Sequence, residues 1–313
     1  MKDPNNNLWG IDLGGTKVEG VVLQSASSPA VLFRDRIPTE SHLGYDHILR
    51  QIKRMVEKME MAMGYRAGHI GIATPGAVNP KEGTMKNCNT TCLNGMPLKD
   101  DLEKILHAKL DLANDANCFA LAEASMGVVK EKFPDARVVF GVIMGTGVGG
   151  GVVVDGKVIN GFHGIGGEWG HNILEAGYGE RCYCGKTGCV EKVLAGPALE
   201  KYYLSLGGSQ RSMKEIYERY IGGDDELAKM TIQRMINFFG QALSVVINIL
   251  DPDAIVIGGG LGNMDVLYTE GRAAVNDYIF NDRVFNTPLL RPRLGDSAGV
   301  FGAAFLTLGY GKV

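Results

Sequence analysis

The sequence predicts an α/β protein with a duplicated core. A strand, a glycine turn and a second strand occur at residues 8–23, and the same pattern recurs at 140–154. Two such turns, one in each half, favour one repeated design over two unrelated folds. The chain has 313 residues, of which 45% are hydrophobic, so it can bury the cores of two domains or lobes.

Composition and charge limit the classes of partner. A net charge of -3 gives no electrostatic reason to bind nucleic acid or an anionic membrane, both of which attract concentrated Lys and Arg. No run approaches the roughly 18 apolar residues of a membrane span, and residues 1–15 lack the basic and apolar regions of a signal peptide. We therefore expect a cytoplasmic protein with a small-molecule partner.

The first element is a hairpin. A strand at 8–11 runs into the turn at 12–17 (DLGGTK), and a second strand follows at 18–23. Adjacent glycines let backbone N–H groups face an anion closely, and Asp12 can hold a hydrated cation. An ordinary glycine turn is the alternative interpretation, and the motif is not a Walker A loop.

The next segments predict one helix, one strand and a long loop. Apolar residues at helical spacing predict an amphipathic helix over 43–63, and residues 69–74 predict a buried strand. A Pro-Gly turn at 75–76 then leads into polar residues through Asn94-Gly95. A loop of this length in a compact domain indicates a functional role.

Residues 100–110 predict a short helix, and 112–117 predict a strand end that feeds another helix. Asn114 and Asp115 would then lie at a helix N-terminus, where Asp115 could also serve merely as the N-cap. Helical patterns dominate from residue 192 to residue 249. A buried strand at 254–257 then ends in glycines, where a ligand can lie against the backbone or a plain loop can form. Residues 299–308 predict a closing helix.

A metal-type cluster lies between Glu168 and Glu191. One imidazole and three thiolates suit a closed tetrahedral zinc site with a structural role, and three unmetallated buried thiols are the alternative. The predicted ligands are His171, Cys182, Cys184 and Cys189. Fixing these ligands would also fix Glu168 and Glu191, which are close to them in sequence. The remaining cysteines are expected to be small buried side chains: Cys88, Cys92 and Cys118.

Six motifs stand in an order that resembles the ROK family of sugar kinases, within the actin-like ATPase superfamily. They are IDLGGTK at 11–17, LANDANC at 112–118, GTGVGGG at 145–151, GEWGHN at 167–172, CYCGKTGCVE at 182–191 and NILDPDAIVIGGG at 248–260. The resemblance implies a two-lobed fold with a ribonuclease H-like duplicated core and an active site in the cleft between the lobes. The small lobe would comprise residues 1–113 with 301–313, and the large lobe 114–300 with a zinc-binding segment at 171–189.

The resemblance also implies an activity. This is an ATP- and Mg²⁺-dependent transfer of the γ-phosphoryl group to the 6-hydroxyl of a hexose. KNCNTTCLNGMPL at 86–98, together with GEWGHN at 167–172 and CYCGKTGC at 182–189, is most similar to bacterial fructokinases of the manno(fructo)kinase type. NDANCFALAEA at 114–124 is equally similar to N-acetylglucosamine kinases. Fructose is therefore the expected substrate, with N-acetylglucosamine, glucose and mannose as alternatives. The loop at 87–94 departs from the pattern of glucose-specific members.

Residue roles follow from the same resemblance. Asp115 would be the general base, and Asn114 would hold the sugar ring in register. The implied sugar contacts are Asn89, Asn114, Asp115, Glu168, His171 and Glu191. The implied contacts to ATP and its Mg²⁺ are Asp12, Gly14, Gly15, Thr16, Lys17, Thr146, Gly147, Gly259 and Gly260. Zn²⁺ would be structural, and family members are commonly homodimers.

Two other classes of function compete with the kinase. ROK members include transcriptional regulators that carry a helix-turn-helix ahead of the first glycine hairpin, but only residues 1–7 precede Leu8 here. The second competitor is a sugar-binding protein without catalysis, which the intact Asp115 and the two phosphate-type turns argue against.

Overall fold

The computed structural model describes residues 6–175 and 180–310, so residues 176–179 of the predicted zinc segment lie outside the described residues. The chain forms two compact units. Unit 1 comprises Met1–Asp135, Gly151–Gly167 and Arg293–Val313. Unit 2 comprises Ala136–Gly150 and Glu168–Pro292.

The strands are β1 Leu8–Leu13, β2 Lys17–Leu23, β3 Val31–Pro38, β4 His69–Thr74, β5 Ala77–Val78, β6 Met85–Lys86, β7 Lys109–Asn114, β8 Val138–Met144, β9 Val148–Val154, β10 Lys157–Val158, β11 Ala254–Gly258 and β12 Leu289–Leu290. The α-helices are α1 Tyr45–Met63, α2 Leu98–Leu106, α3 Asp115–Ser125, α4 Val128–Lys132, α5 Val190–Leu194, α6 Gly196–Ser205, α7 Met213–Gly222, α8 Glu226–Leu250, α9 Asp265–Tyr268, α10 Glu270–Val275 and α11 Ala298–Phe305. Short 3₁₀ turns and a terminal π-type turn at Leu306–Tyr310 complete the described chain.

Two five-stranded sheets share one design. The first has the strand order β3-β2-β1-β4-β7, and the second has the order β10-β9-β8-β11-β12. In the first sheet β1, β2 and β3 are antiparallel, whereas β4 and β7 continue the sheet in parallel with β1. In the second sheet β11 is parallel to both β8 and β12, and the boundary between the units falls within β9. The predicted α/β fold with a duplicated core is confirmed.

Helices cover both faces of the first sheet. Gly20 on β2 allows α1 to approach, because a Cβ atom there would lie 2.7 Å from the Met55 side chain. Gly71 on β4 does the same for α11 on the other face, since its Cβ would lie only 1.7 Å from the Ala303 carbonyl oxygen. The core between the sheet and α1 includes Trp9 and Ile52, both with no exposed area. Burial on both faces explains the continuous hydrophobic runs of β1 and β4.

Helix α3 packs against α11, and both helices belong to unit 1. At their crossing a Cβ on Gly302 would lie 1.8 Å from the Cys118 carbonyl oxygen. The buried Glu123 carboxylate accepts hydrogen bonds from the backbone N–H groups of Val128 (2.8 Å) and Leu294 (2.9 Å). The boundaries of the two units differ from those of the predicted lobes, which were 1–113 with 301–313 and 114–300. The lobe division stays a prediction.

Unit 2 is organised around the 25-residue helix α8. This helix contacts α5, α6, α7, α9 and α10. Its buried stripe at helical spacing includes Ile232, Met235 and Phe239. No helix within 6–175 and 180–310 combines the length and the apolar character needed to cross a membrane.

Two predicted boundaries are wrong. The helix predicted over 100–110 is α2, which ends at Leu106, and the chain already enters β7 at Lys109. His107 takes up a left-handed conformation with φ of 51°, which ends the helix. The predicted closing helix at 299–308 begins at Ala298, and its last residues form a wider π-type turn. Cys92 is half-buried rather than fully buried, whereas Cys88 and Cys118 are buried as predicted.

Candidate active site

Two carboxylates meet at one edge of the unit 1 sheet. In the parallel pairing of β1 with β4, Asp12 lies opposite Ala73, and in the pairing of β4 with β7, Ala73 lies opposite Ala113. The carboxyl ends of these strands therefore share one edge, and β7 ends there at Asn114. Asp115 follows as the first residue of α3. Ligands bind at such edges in α/β sheets.

Asp115 combines solvent access with a low-dielectric environment. Its side chain retains exposed area, but protein atoms surround it closely enough that loss of hydration raises the pKa of its carboxyl group. One carboxylate oxygen accepts a hydrogen bond from the Ala116 N–H at 2.8 Å. Asn114, not Asp115, is the N-cap, because its side-chain oxygen accepts from the Asn117 N–H at 2.8 Å. The alternative that Asp115 is merely the cap is therefore wrong.

Asp12 is also a perturbed carboxylate. Burial raises its pKa to about 6, and the negative charges of Asp115 and Glu19 contribute to the shift. One of its oxygens would lie 3.0 Å from a Cβ on Gly299, so α11 begins directly against it. Two like charges at one sheet edge disfavour each other's ionised form. A cation bound there would remove that penalty.

Two hydroxyl groups from outside the first glycine turn (residues 12–17) donate hydrogen bonds to its backbone carbonyls. The Gly14 N–H donates to the Lys17 carbonyl at 2.9 Å, which closes the turn. The Thr39 hydroxyl donates to the Gly14 carbonyl at 2.7 Å, and the Ser41 hydroxyl donates to the Gly15 carbonyl at 3.0 Å. These contacts keep the turn in one shape, with Gly15 and Thr16 exposed.

A buried carboxylate next to this turn was not anticipated from the sequence. Glu19 has no exposed area, and the Arg34 and Arg36 side chains lie 2.7 and 2.8 Å from its oxygens. Burial alone would raise the pKa of Glu19, but hydrogen bonds from the two arginines outweigh that effect and lower it. Lys17 lies 3.4 Å from the same carboxylate. The one signal for this ion pair is that Glu19 and Arg36 lie opposite each other on β2 and β3. That position is known only once the pairing of the two strands is known.

The loop that carries Asn89 rests on the end of β4. The Asn89 N–H donates to the Pro75 carbonyl at 3.4 Å, and its side chain is exposed. Asn94 closes the loop, because its side chain accepts from the Cys88 N–H at 2.8 Å and donates to the Cys88 carbonyl at 3.1 Å. Asn89 therefore lies beside the central strand of the edge that carries Asp12 and Asp115.

The glycine turns of unit 2 also meet at one edge. Strands β8 and β11 are parallel with Ile143 opposite Gly258, so the turn at 145–147 and the pair Gly259-Gly260 follow neighbouring strand ends. Gly259 has a φ of 79°, and its Cβ would lie 2.3 Å from the Met144 carbonyl oxygen. Only glycine fits there.

An open cavity of about 680 Å³ extends from this edge within unit 2. Its lining includes Gly145, Thr146, Glu200, Met213, Tyr217 and Gly260. The side chains on α6 and α7 were not anticipated. The sequence signal for this wall was the capping box at the start of α7, where Ser212 and Glu215 cap each other.

The four predicted metal ligands converge. The ligand atoms of His171, Cys182, Cys184 and Cys189 all lie within 4.8 Å of one another. The Cys184 and Cys189 sulfurs are 3.5 Å apart, and the Cys182 sulfur is 3.6 Å from His171 Nδ1. Tetrahedral zinc bound by thiolates at about 2.3 Å requires ligand separations of this size. The donor set and its spacing therefore fit a closed zinc site.

Tyr183 contacts the ring nitrogen of His171 that is not directed at Cys182. The hydroxyl oxygen of Tyr183 is 2.8 Å from His171 Nε2, and the two rings meet edge to face. Loss of hydration at the hydroxyl end of Tyr183 raises its pKa to about 12, and the carboxylates of Glu191 and Glu168 add to the shift. The residue as a whole is 71% exposed. The predicted sugar contact of His171 would use this same nitrogen.

Glu191 links the cysteine segment to the second glycine turn. Its carboxylate accepts a hydrogen bond from the Val148 N–H at 3.2 Å, and a Cβ on Gly147 would lie 2.8 Å from the same oxygen. The Trp169 indole donates to the Gly149 carbonyl at 2.8 Å, which holds the adjoining segment. The charge effects on Tyr183 place Glu168 in the same neighbourhood.

The predicted site residues thus form one group in each unit. Unit 1 holds Asp12, Gly14, Gly15, Thr16, Lys17, Asn89, Asn114 and Asp115. Unit 2 holds Thr146, Gly147, Glu168, His171, Cys182, Cys184, Cys189, Glu191, Gly259 and Gly260.

Relatives with named activities align along nearly the whole chain. The chain is 34% identical to the N-acetyl-D-glucosamine kinase of Salmonella paratyphi B over 310 residues, which cover 96% of this chain and 99% of the relative. The ROK hexokinase of Thermus thermophilus is 30% identical with a TM-score of 0.82, over 96% of this chain and 98% of that one. A ROK family glucokinase from Streptomyces griseus, solved with glucose and AMPPNP, is 26% identical with a TM-score of 0.75, over 97% and 99%.

The family model gives the same answer as the six motifs. The model of the ROK family matches residues 8–309, from the first strand to the terminal turn. The resemblance predicted from the sequence is confirmed. The chain therefore belongs to the ROK family.

Proposed function

We propose that this protein is an ATP-dependent hexose kinase that transfers the γ-phosphoryl group of ATP to the 6-hydroxyl of its sugar. The observation that carries the proposal is Asp115, a solvent-accessible carboxylate with a raised pKa at the carboxyl edge of a parallel sheet. A general base works best when its pKa lies closer to the operating pH than that of an ordinary aspartate. The named kinase relatives support the same activity.

Asp115 accepts the proton of the attacking hydroxyl. The sugar oxygen forms the new bond to the γ-phosphorus while the bond between that phosphorus and the bridging oxygen of ADP breaks. The proton moves to the Asp115 carboxylate as the new bond forms. Asn114, whose side-chain oxygen caps α3, holds a neighbouring hydroxyl of the sugar.

Asp12 is the residue that would hold Mg²⁺, which prefers oxygen ligands and keeps several waters. When bound, Mg²⁺ neutralises charge on the phosphates. We assign phosphate contacts to the backbone of Gly14, Gly15 and Thr16, with Lys17 beside them. We assign Thr146 and Gly147 to the phosphates as well, and the cavity beside Gly259 and Gly260 to the nucleoside.

The sugar contacts are assigned to Asn89, Asn114, Glu168, His171 and Glu191. For the hexose itself we propose fructose, on the resemblance of the segments at 86–98, 167–172 and 182–189 to fructokinases. N-acetylglucosamine is the second candidate, which the 34% identical relative supports.

Replacing Asp115 tests the base. We expect Asp115→Asn to lower kcat by about 10² to 10⁴-fold, because an amide cannot accept the hydroxyl proton. The Kd for the hexose, measured by calorimetry, should stay within about threefold, because Asn keeps the size and one hydrogen-bonding oxygen. Asp100→Asn on the exposed face of α2 is the matched control and should turn over normally. Wild-type turnover in Asp115→Asn would remove Asp115 as the base.

A panel of sugars tests the substrate. ADP release with fructose, mannose, glucose and N-acetylglucosamine gives kcat/KM for each sugar, and the phosphorylated position is read by NMR. We expect the highest kcat/KM with fructose and a product phosphorylated at the 6-hydroxyl. A higher value for N-acetylglucosamine would overturn the assignment to fructose while leaving the kinase intact. No ADP release with any hexose would overturn the kinase itself.

The raised pKa of Asp12 predicts a stability change with a defined sign. Folding raises this pKa from 3.8 to about 6, so the folded protein holds the proton more tightly than the unfolded chain. The carboxylate therefore costs little stability below about pH 4, and its cost grows until about pH 6 and persists above it. We expect Asp12→Asn, without Mg²⁺, to be more stable than wild type at about pH 7.5 by on the order of 2 kcal/mol.

This gain should disappear near pH 4, where both side chains are neutral. Thermal unfolding followed by circular dichroism across this pH range measures the effect. Asp100→Asn controls for a general change of surface charge. Parallel stability curves for wild type and Asp12→Asn would contradict the assigned pKa shift.

The cysteine cluster predicts bound zinc. We expect elemental analysis to find one zinc per chain in wild type and none in Cys184→Ser. Metal removal should lower the melting temperature and raise the KM for the hexose together, because metal binding orders the segment that carries His171 and Glu191. Cys92→Ser, outside the cluster, should keep its zinc. An unchanged KM in zinc-free protein would separate the metal from sugar binding.

A further inference from the structure

Glu200 presents a carboxylate to the cavity of unit 2. One of its oxygens accepts a hydrogen bond from the Met213 N–H at 2.8 Å, which fixes the side chain at the first residue of α7. Within residues 6–175 and 180–310, no hydrogen bond reaches the second oxygen. The side chain lines the cavity and is partly buried. An acceptor is therefore held in one place with hydrogen-bonding capacity left over.

The cavity extends from the second glycine turn along α6 to Glu200. At one end the Gly196 N–H donates to the Gly145 carbonyl at 2.8 Å, so α6 starts beside the glycine turn assigned to phosphates. Glu200 lies four residues further along α6, which is about 6 Å at the helical rise of 1.5 Å per residue. Glu200 is thus displaced from the phosphate end by about one helical turn. A nucleoside whose phosphates lie at this turn would extend along the cavity toward Glu200.

The walls near Glu200 suit a flat ring. Met213, Leu261 and Met264 line the cavity and are almost fully buried, and Tyr217 adds an aromatic surface. Such walls bind a base through apolar contact but do not distinguish one purine from another. Discrimination then depends on a polar group at the edge of the ring.

We propose that Glu200 selects adenine nucleotides by accepting a hydrogen bond from the exocyclic amino group of the base. This inference rests on the proposed kinase function, whose nucleotide cavity it uses. Adenine carries a donor at its 6-position, whereas hypoxanthine and guanine carry a carbonyl oxygen there. A carboxylate accepts from the amino group and repels the carbonyl oxygen.

The variant Glu200→Gln reverses this preference. Its amide oxygen must stay on the Met213 N–H, because the amide nitrogen would set two donors against each other. The amide nitrogen therefore faces the cavity and offers a donor to the 6-carbonyl of inosine nucleotides. ATP and ITP carry the same triphosphate, so their ratio isolates the contact to the base.

We expect wild type to prefer ATP over ITP in kcat/KM, and ADP over IDP in binding, by at least about tenfold, the value of one hydrogen bond to a charged group. Glu200→Gln should reduce both ratios to about one or below. Glu226→Gln, an exposed carboxylate on α8, makes the same charge change and should keep the wild-type ratios. Unchanged ratios in Glu200→Gln would overturn the proposal.

Two further measurements test the role of Glu200 independently of the proposed kinase activity and of the folding of the variant. Calorimetry with ADP and IDP needs no turnover, so a tenfold preference that Glu200→Gln abolishes supports the assignment even if no hexose is phosphorylated. If Glu200→Gln does not fold, wild-type affinity for purine riboside diphosphate, which lacks the amino group, decides the question. We expect binding at least about tenfold weaker than ADP. Equal affinity would overturn the role of Glu200.

Discussion

The parallel pairing of β1, β4 and β7 is the constraint on which the candidate site of unit 1 depends. Because parallel strands end at the same edge, the residues that follow them are brought together whatever their distance in sequence. Asp12 and Asp115 are over a hundred residues apart, yet the charge of Asp115 helps to raise the pKa of Asp12. The same rule applies in unit 2, where β8 and β11 end in glycine turns. The carboxyl edges of the sheets therefore determine where ligands can bind, and the side chains at these edges determine which reaction can take place.

The two carboxylates at this edge have different supports. Asp115 is held by the start of α3, and loss of hydration makes it a better proton acceptor at neutral pH than an ordinary aspartate. Asp12 lies near Glu19, whose charge is compensated by Arg34 and Arg36. The arginines keep Glu19 ionised without cancelling its effect on Asp12. An arrangement of this kind opposes stability and favours a bound cation.

The sequence predicted the features that depend on local order. The glycine hairpins, the Asn-Asp pair at a helix start and the His-Cys spacing are all encoded within short segments, and each lies where the pattern indicated. Features that depend on tertiary packing were missed. No local signal places Glu200 on the Met213 N–H or α3 against α11. The end of α2 was missed because a left-handed His107, not glycine, terminates it.

Glu191 connects the cysteine cluster of unit 2 to the second glycine turn. It follows Cys189 by two residues on α5, so the position of the cysteine cluster determines the position of its carboxylate. That carboxylate binds the Val148 N–H and lies so close to Gly147 that a Cβ there would be 2.8 Å away. A displacement of the cluster must therefore shift the glycine turn or break this hydrogen bond. A side chain at position 147 would therefore require the Glu191 carboxylate to shift from its present position.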